Sequence, residues 1–82
     1  MSPRRLLHVP ALTLPQEAVL RELLAAGGEK AFTGRKLATA RELWKKKQLV
    51  KLVAGKEPLG KWFTFTQHGR EVAEWLPTPA EG

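Results

Sequence analysis

The chain has 82 residues, a formal net charge of +6 and no cysteine. This length predicts one domain with a modest core, and the hydrophobic fraction of 43% argues against general disorder. The absence of cysteine excludes disulfide bonds and thiolate chemistry. No apolar run approaches the roughly 18 residues of a membrane span, and the N-terminal apolar patch is too short for a signal peptide. We therefore expect a soluble, cytoplasmic protein that does not bind membranes.

The positive charge is concentrated in one part of the chain. Between Lys30 and Lys61, ten Lys or Arg residues accompany only two Glu residues. The first 29 residues hold three charges of each sign, and the last 21 hold one Arg and three Glu. Such a concentration indicates a surface that meets a polyanion, most directly nucleic acid. The alternative is an ordinary solvated face.

A first helix is predicted to begin after Thr13. Thr13 and Gln16 have the spacing of a capping box, and Pro15 lies in the first turn, where its missing N–H costs nothing. The pair Gly27-Gly28 ends the helix. The apolar residues that should face the core are Val19, Leu20, Leu23 and Leu24.

A second, strongly basic helix is predicted from Gly34 or Arg35 to Lys47, after a minimal strand at Lys30-Ala31-Phe32. On a helical wheel its residues divide into an apolar arc and a polar arc. The apolar arc holds Leu37, Ala40, Leu43 and Trp44, with the stem of Lys47 beside it. The outward arc holds Arg35, Ala38, Thr39, Arg41, Glu42, Lys45 and Lys46.

The next segment is predicted to be a hairpin. Leu49–Val53 is β-prone, and Trp62–Thr66 has the aromatic and β-branched residues of a returning strand. Residues 54–61 carry two glycines and a proline, which predicts a long loop between the strands.

A last helix is predicted from Gln67 to Trp75 or Leu76, with Thr66 as its N-cap and two prolines after it. The element order indicates an α+β fold. The expected division is an N-terminal arm at 1–11, a folded domain at 12–76 and a flexible tail at 77–82.

Three segments in this order resemble a winged helix-turn-helix DNA-binding domain. They are Leu12-Thr13-Leu14-Pro15-Gln16 at the start of the first helix, the basic helix running into Leu49-Val50, and Trp62-Phe63-Thr64-Phe65-Thr66 closing on Gly69-Arg70. The last is similar to the F-x-L-T-x-x-G-R ending of bacterial and phage winged-helix regulators. The resemblance covers roughly Leu12 to Leu76.

The resemblance implies a small winged helix, with two or three helices packed on a β-hairpin wing and a C-terminal helix. The family places two helices between its first helix and the hairpin. Here the residues from Gly28 to Gly34 have room for barely one turn before the basic helix. Either the extra helix has shrunk to a turn or strand, or the chain is a reduced variant.

The resemblance also implies a duplex DNA-binding transcriptional regulator whose basic helix lies in the major groove. Arg35, Thr39 and Glu42 would then face bases, with Ala38 allowing close approach, and the remaining cations would contact phosphates. In the wing, Glu57 and Pro58 argue against deep groove insertion. The implied DNA-binding residues are Arg35, Thr39, Arg41, Glu42, Lys45, Lys46, Lys56 and Lys61.

Several alternatives remain open at this point. Glu42 and Lys46 have the spacing of an ordinary i,i+4 pair on a solvated helix. The same basic surface would also suit an acidic protein partner or RNA. Apolar residues near the two ends would permit a homodimer or complete a monomer's core: Leu6, Leu7, Val9, Trp75 and Leu76.

Catalysis, cofactors and metals find no support in the residues. The chain has no Asp or Cys, its only serine is Ser2, and its two histidines are isolated. Gly55 to Lys61 matches most of a phosphate-binding loop, but Trp62 stands where that motif needs Ser or Thr, and a strand follows instead of a helix. We therefore expect neither an enzyme nor a cofactor or metal site.

Overall fold

The computed structural model describes residues 11–76, so that the predicted tail and all but Ala11 of the predicted arm lie outside this range. The described residues form three α-helices and a three-stranded antiparallel sheet, which is the predicted α+β class. In chain order the elements are α1 (Leu14–Ala25), β1 (Glu29–Ala31), α2 (Gly34–Glu42) continued by a π-helical turn (Leu43–Lys47), β2 (Val50–Leu52), β3 (Trp62–Phe65) and α3 (Gln67–Trp75).

Helix α1 begins at the predicted capping box. The Gln16 backbone N–H donates to the Thr13 hydroxyl at 3.3 Å, and the Thr13 N–H donates to the Gln16 side chain at 3.0 Å. At the other end the Gly28 N–H donates to the Leu23 carbonyl at 2.9 Å, and Gly27 has a φ of 89°, a conformation that favours glycine. Local sequence therefore defines both ends of this helix.

The strand order in the sheet is β1-β3-β2, so the central strand is the last one in the chain. Glu29 pairs with Thr64 and Ala31 with Trp62 on one side, and Val50 pairs with Phe65 on the other. The space between α1 and α2 thus holds a strand and not a second helix, as one of the alternatives from the sequence predicts. The strand lies one residue earlier than predicted.

The core is centred on Phe63, which is fully buried. Its ring lies 6.4 Å from that of Phe32 and 6.1 Å from that of Trp44, the second pair edge to face. Phe65 is also buried, so the phenylalanines of β3 point inward and leave Trp62 and Thr64 on the outer face of the sheet.

Helix α3 crosses the backbone segment that follows the basic helix. The two segments meet at Gly69 of α3 and Leu49. A Cβ built on Gly69 would lie 1.6 Å from the Leu49 carbonyl oxygen and 2.5 Å from its carbon, so only glycine fits there. Thr66 holds the same crossing. Its backbone N–H donates to the Leu49 carbonyl at 3.1 Å, and its hydroxyl donates to the Gln48 carbonyl at 2.9 Å while accepting from the Gly69 N–H at 3.0 Å.

Within residues 11–76, none of the helices has the length and apolar character required to cross a membrane.

Replacing Gly69 with alanine should destabilise the domain by about 3 kcal/mol or more, because a backbone segment must move to admit the new methyl group. Gly60→Ala is the matched control: Gly60 has a φ of 78° and open space around it, so only backbone strain of about 1 kcal/mol is expected. Urea unfolding followed by circular dichroism measures both changes. Equal losses of stability in the two variants would contradict the close approach.

Candidate nucleic-acid interface

The basic helix presents the predicted face to solvent. Ala40 and Leu43 are buried, and Leu37 and Trp44 pack on the core from its edge. Six of the predicted site residues lie together on the other side of α2 and its π-helical turn. Arg35, Arg41, Glu42, Lys45 and Lys46 are exposed, and Thr39 is half-buried.

Thr39 already uses its hydroxyl hydrogen within the helix. The hydroxyl donates to the Arg35 carbonyl at 3.1 Å, a back-bond of the kind that Thr forms in helices. The hydroxyl oxygen and the methyl group of Thr39 remain for any contact outside the helix. The position expected to face bases therefore keeps one acceptor and one apolar group for such a contact.

The π-helical turn ends the basic helix. It closes with the Gln48 N–H donating to the Leu43 carbonyl, and Gln48 itself has a left-handed φ of 57°. The Lys47 side chain turns back and donates to the Ala11 carbonyl at 3.3 Å, as expected for a stem beside the apolar arc. Lys45 lies 4.8 Å from the centre of the Trp44 ring, within cation–π distance. Turns of this kind are frequent at functional sites.

Glu42, the one acid on this face, has a partner on another helix. Its Oε1 accepts from Gln16 Nε2 at 3.1 Å, and Gln16 is only 6% exposed. Gln16 is the residue whose Oε1 completes the cap of α1, so one amide joins the start of α1 to the middle of the basic helix. Within residues 11–76, Glu42 does not pair with Lys46, so the i,i+4 pair considered from the sequence is not formed.

Two cations of the basic segment are paired with acids from the neutral N-terminal segment. Lys36 pairs with Glu22 of α1, and Lys56 Nζ lies 2.5 Å from Glu29 Oε1 of β1. Five others form no ion pair or cation–π contact within residues 11–76: Arg35, Arg41, Lys46, Lys51 and Lys61. The sequence therefore gives the number of basic residues in this segment correctly. It overstates how many of them lack an ionic partner and can bind a ligand.

Lys51 extends this set beyond the predicted residues. It lies in β2 opposite Thr64 and is exposed on the outer face of the sheet. The alternation of side chains along a predicted strand was the only signal that pointed to this position.

The β2–β3 loop folds back onto the outer face of the sheet. The Trp62 indole N–H donates to the Glu57 carbonyl at 2.6 Å, and the Lys56 ammonium lies 4.1 Å from the centre of the Trp62 ring. Lys61 immediately precedes β3, and its carbonyl accepts from the Phe32 N–H at 3.0 Å. Of the two predicted wing cations, Lys56 is thus held and Lys61 is unpaired within the described residues.

Comparison with protein-family models, with curated proteins and with solved structures found no match for this chain.

Replacing Trp62 with phenylalanine should loosen the loop without unfolding the domain, because it removes the bond to Glu57 and weakens the contact with Lys56. We expect faster trypsin cleavage after Lys56 and Lys61 and a loss of stability of about 1 kcal/mol. Mass spectrometry of limited digests locates the cuts, and Trp75→Phe on α3 is the control. Unchanged cleavage at both lysines would show that Trp62 does not hold the loop.

Proposed function

We propose that this protein is a reduced winged-helix domain that binds nucleic acid, most directly duplex DNA, as a transcriptional regulator. The observation that carries the proposal is the outward face of α2 and its π-helical turn, where Arg35, Arg41 and Lys46 are exposed and form no ion pair among residues 11–76. Glu42, the acid of that face, is bonded to Gln16 and forms no ion pair with these cations within residues 11–76. Lys and Arg side chains without an ionic partner are the groups that bind phosphate oxygens of nucleic acids.

The arrangement of the elements supports the winged-helix part of the proposal. A first strand pairs with the third, the basic helix runs directly into the second, and the loop between the second and third strands occupies the position of a wing. The strand β1 takes the place of one helix in the family pattern, which is why we call the domain reduced.

The positions of the side chains divide the proposed contacts into two kinds. Arg35 lies in the first turn of α2, where helices in the major groove read base edges, so we assign base contact to it. Arg41, Lys45 and Lys46 lie further along and are assigned to phosphates. Because Glu42 is engaged by Gln16, we propose that it sets the angle between α1 and α2 and does not accept a hydrogen bond from a base.

Affinity for a duplex should fall steeply as salt rises, and the double variant Lys45→Gln, Lys46→Gln should bind all sequences more weakly with a smaller salt slope. Each lost phosphate contact lowers the slope by about 0.9. Fluorescence anisotropy of labelled duplex across salt concentrations provides the measurement, with single-stranded DNA and RNA as competitors.

Lys36→Gln is the matched control on the same helix, because Lys36 is paired with Glu22 and should contribute less to binding. The absence of duplex binding at about 50 mM salt, where phosphate contacts are strong, would overturn the DNA-binding proposal. Tighter binding of RNA than of duplex DNA would replace DNA with RNA as the ligand.

Two variants at Glu42 distinguish positioning from base reading. Glu42→Gln keeps an oxygen for Gln16 and removes the charge, so affinity should rise for every sequence. Glu42→Ala also breaks the link between the helices and should cost about 1 kcal/mol of stability. Selection of bound duplexes from a pool of random sequences shows whether the preferred DNA sequence changes in either variant. A changed preferred sequence in Glu42→Gln would show that Glu42 reads a base.

A second candidate is a protein-interaction module that docks on an acidic partner of the transcription or other nucleic-acid machinery. The observation that favours it is the β2–β3 loop, where the cation Lys56 is already paired and Leu59 is 62% exposed. Partners captured by the protein should then survive nuclease treatment and be lost with Leu59→Ser. Recovery of only DNA-dependent partners would exclude this candidate.

A further inference from the structure

Lys56 is the cation of the proposed surface whose environment is least compatible with a simple phosphate contact. Its ammonium lies 2.5 Å from the Glu29 carboxylate and 4.1 Å from the centre of the Trp62 ring. The side chains of Lys56 and Glu29 are 44% and 42% exposed, so the pair is open to solvent and to a competing anion.

The pairing of the strands explains why Glu29 reaches this lysine. Glu29 is opposite Thr64, and Ala31 is opposite Trp62. Because side chains alternate along a strand, Glu29, Thr64 and Trp62 share the outer face of the sheet, away from the buried Phe63. The loop then brings Lys56 over that face, where it meets the acid and the indole together.

We propose that Glu29 competes with a nucleic-acid phosphate for Lys56, so that the β2–β3 loop joins the interface only when Lys56 leaves Glu29. This inference rests on the proposed nucleic-acid binding and assigns to that binding an internal competitor. Glu29 takes one of the three ammonium hydrogens and holds a negative charge 2.5 Å from Lys56 Nζ, so a phosphate that approaches the paired lysine is repelled by this carboxylate and meets the full positive charge only after Lys56 leaves Glu29. Glu29 therefore lowers the affinity of the protein for nucleic acid. The loop contacts only ligands whose binding offsets the free energy lost when the Lys56–Glu29 pair breaks.

The test is a set of variants titrated with a short labelled duplex at low salt. Glu29→Gln should bind roughly two- to five-fold more tightly, because the competing pair is of the weak, partly exposed kind. Its salt slope should stay close to that of the wild type, because Lys56 contacts a phosphate in both complexes. In the double variant Glu29→Gln, Lys56→Gln, the gain in affinity should disappear.

Two controls separate this competition from a general effect of charge. Glu71→Gln removes one exposed acid from α3 and should change affinity much less than Glu29→Gln. The double variant Glu29→Gln, Lys51→Gln is compared with the single variant Lys51→Gln. The gain in affinity from Glu29→Gln should persist in this comparison, because Lys51 has no bond to Glu29. A gain that survives the loss of Lys56 would overturn the inference and assign the effect to net charge.

An independent readout follows the Trp62 indole N–H by NMR, with the resonance identified by its loss in Trp62→Phe. Addition of duplex should shift this resonance in the wild-type protein, because Lys56 leaves the ring. Duplex binding with no shift and no gain in Glu29→Gln would overturn the competition while leaving the proposed function intact. A wild-type protein that binds no nucleic acid would instead overturn both.

Discussion

The close contact between Gly69 and the Leu49 backbone is the constraint on which the rest of the fold depends. Leu49 lies between the end of the π-helical turn at Lys47 and the start of β2 at Val50, so the crossing determines where the basic helix stops and where β2 starts. Thr66 reinforces the crossing by bonding to the carbonyls of Gln48 and Leu49 while capping α3. One small residue and one hydroxyl therefore fix the basic helix relative to the hairpin and the last helix.

This crossing gives a physical meaning to the part of the sequence that carries the family resemblance. The Thr66 and Gly69 positions match the T-x-x-G of the F-x-L-T-x-x-G-R ending, and each has a structural task that few other residues can perform. Thr66 must both donate and accept, and Gly69 must admit a carbonyl where any side chain would collide. The motif thus serves to join the last helix to the hairpin. By itself it does not indicate which ligand the domain binds.

The elements were predictable from sequence because their causes are local. Thr13 and Gln16, three residues apart, form the cap of α1, and the alternation that places Phe63 and Phe65 on one face of β3 is visible within one strand. The contacts that shape the candidate site are not local. Glu22 and Glu29 lie 14 and 27 residues from the lysines that they neutralise, and a charge count along the chain assigns them to a different segment. Neither pairing follows until the β1–β3 register and the packing of α1 on α2 are known.

The same distinction explains the acid in the middle of the basic face. The sequence alone allows Glu42 to read a base or to form a surface pair with Lys46. The fold adds Gln16, 26 residues earlier, whose amide oxygen caps α1 and whose amide nitrogen reaches Glu42. A nearly buried amide that loses its acceptor costs more free energy than a surface charge contributes, so the bond between Gln16 and Glu42 matters more for the packing of the helices than for the charge of the face. The helix that carries the cations is thus held against α1 partly through a residue that is not basic.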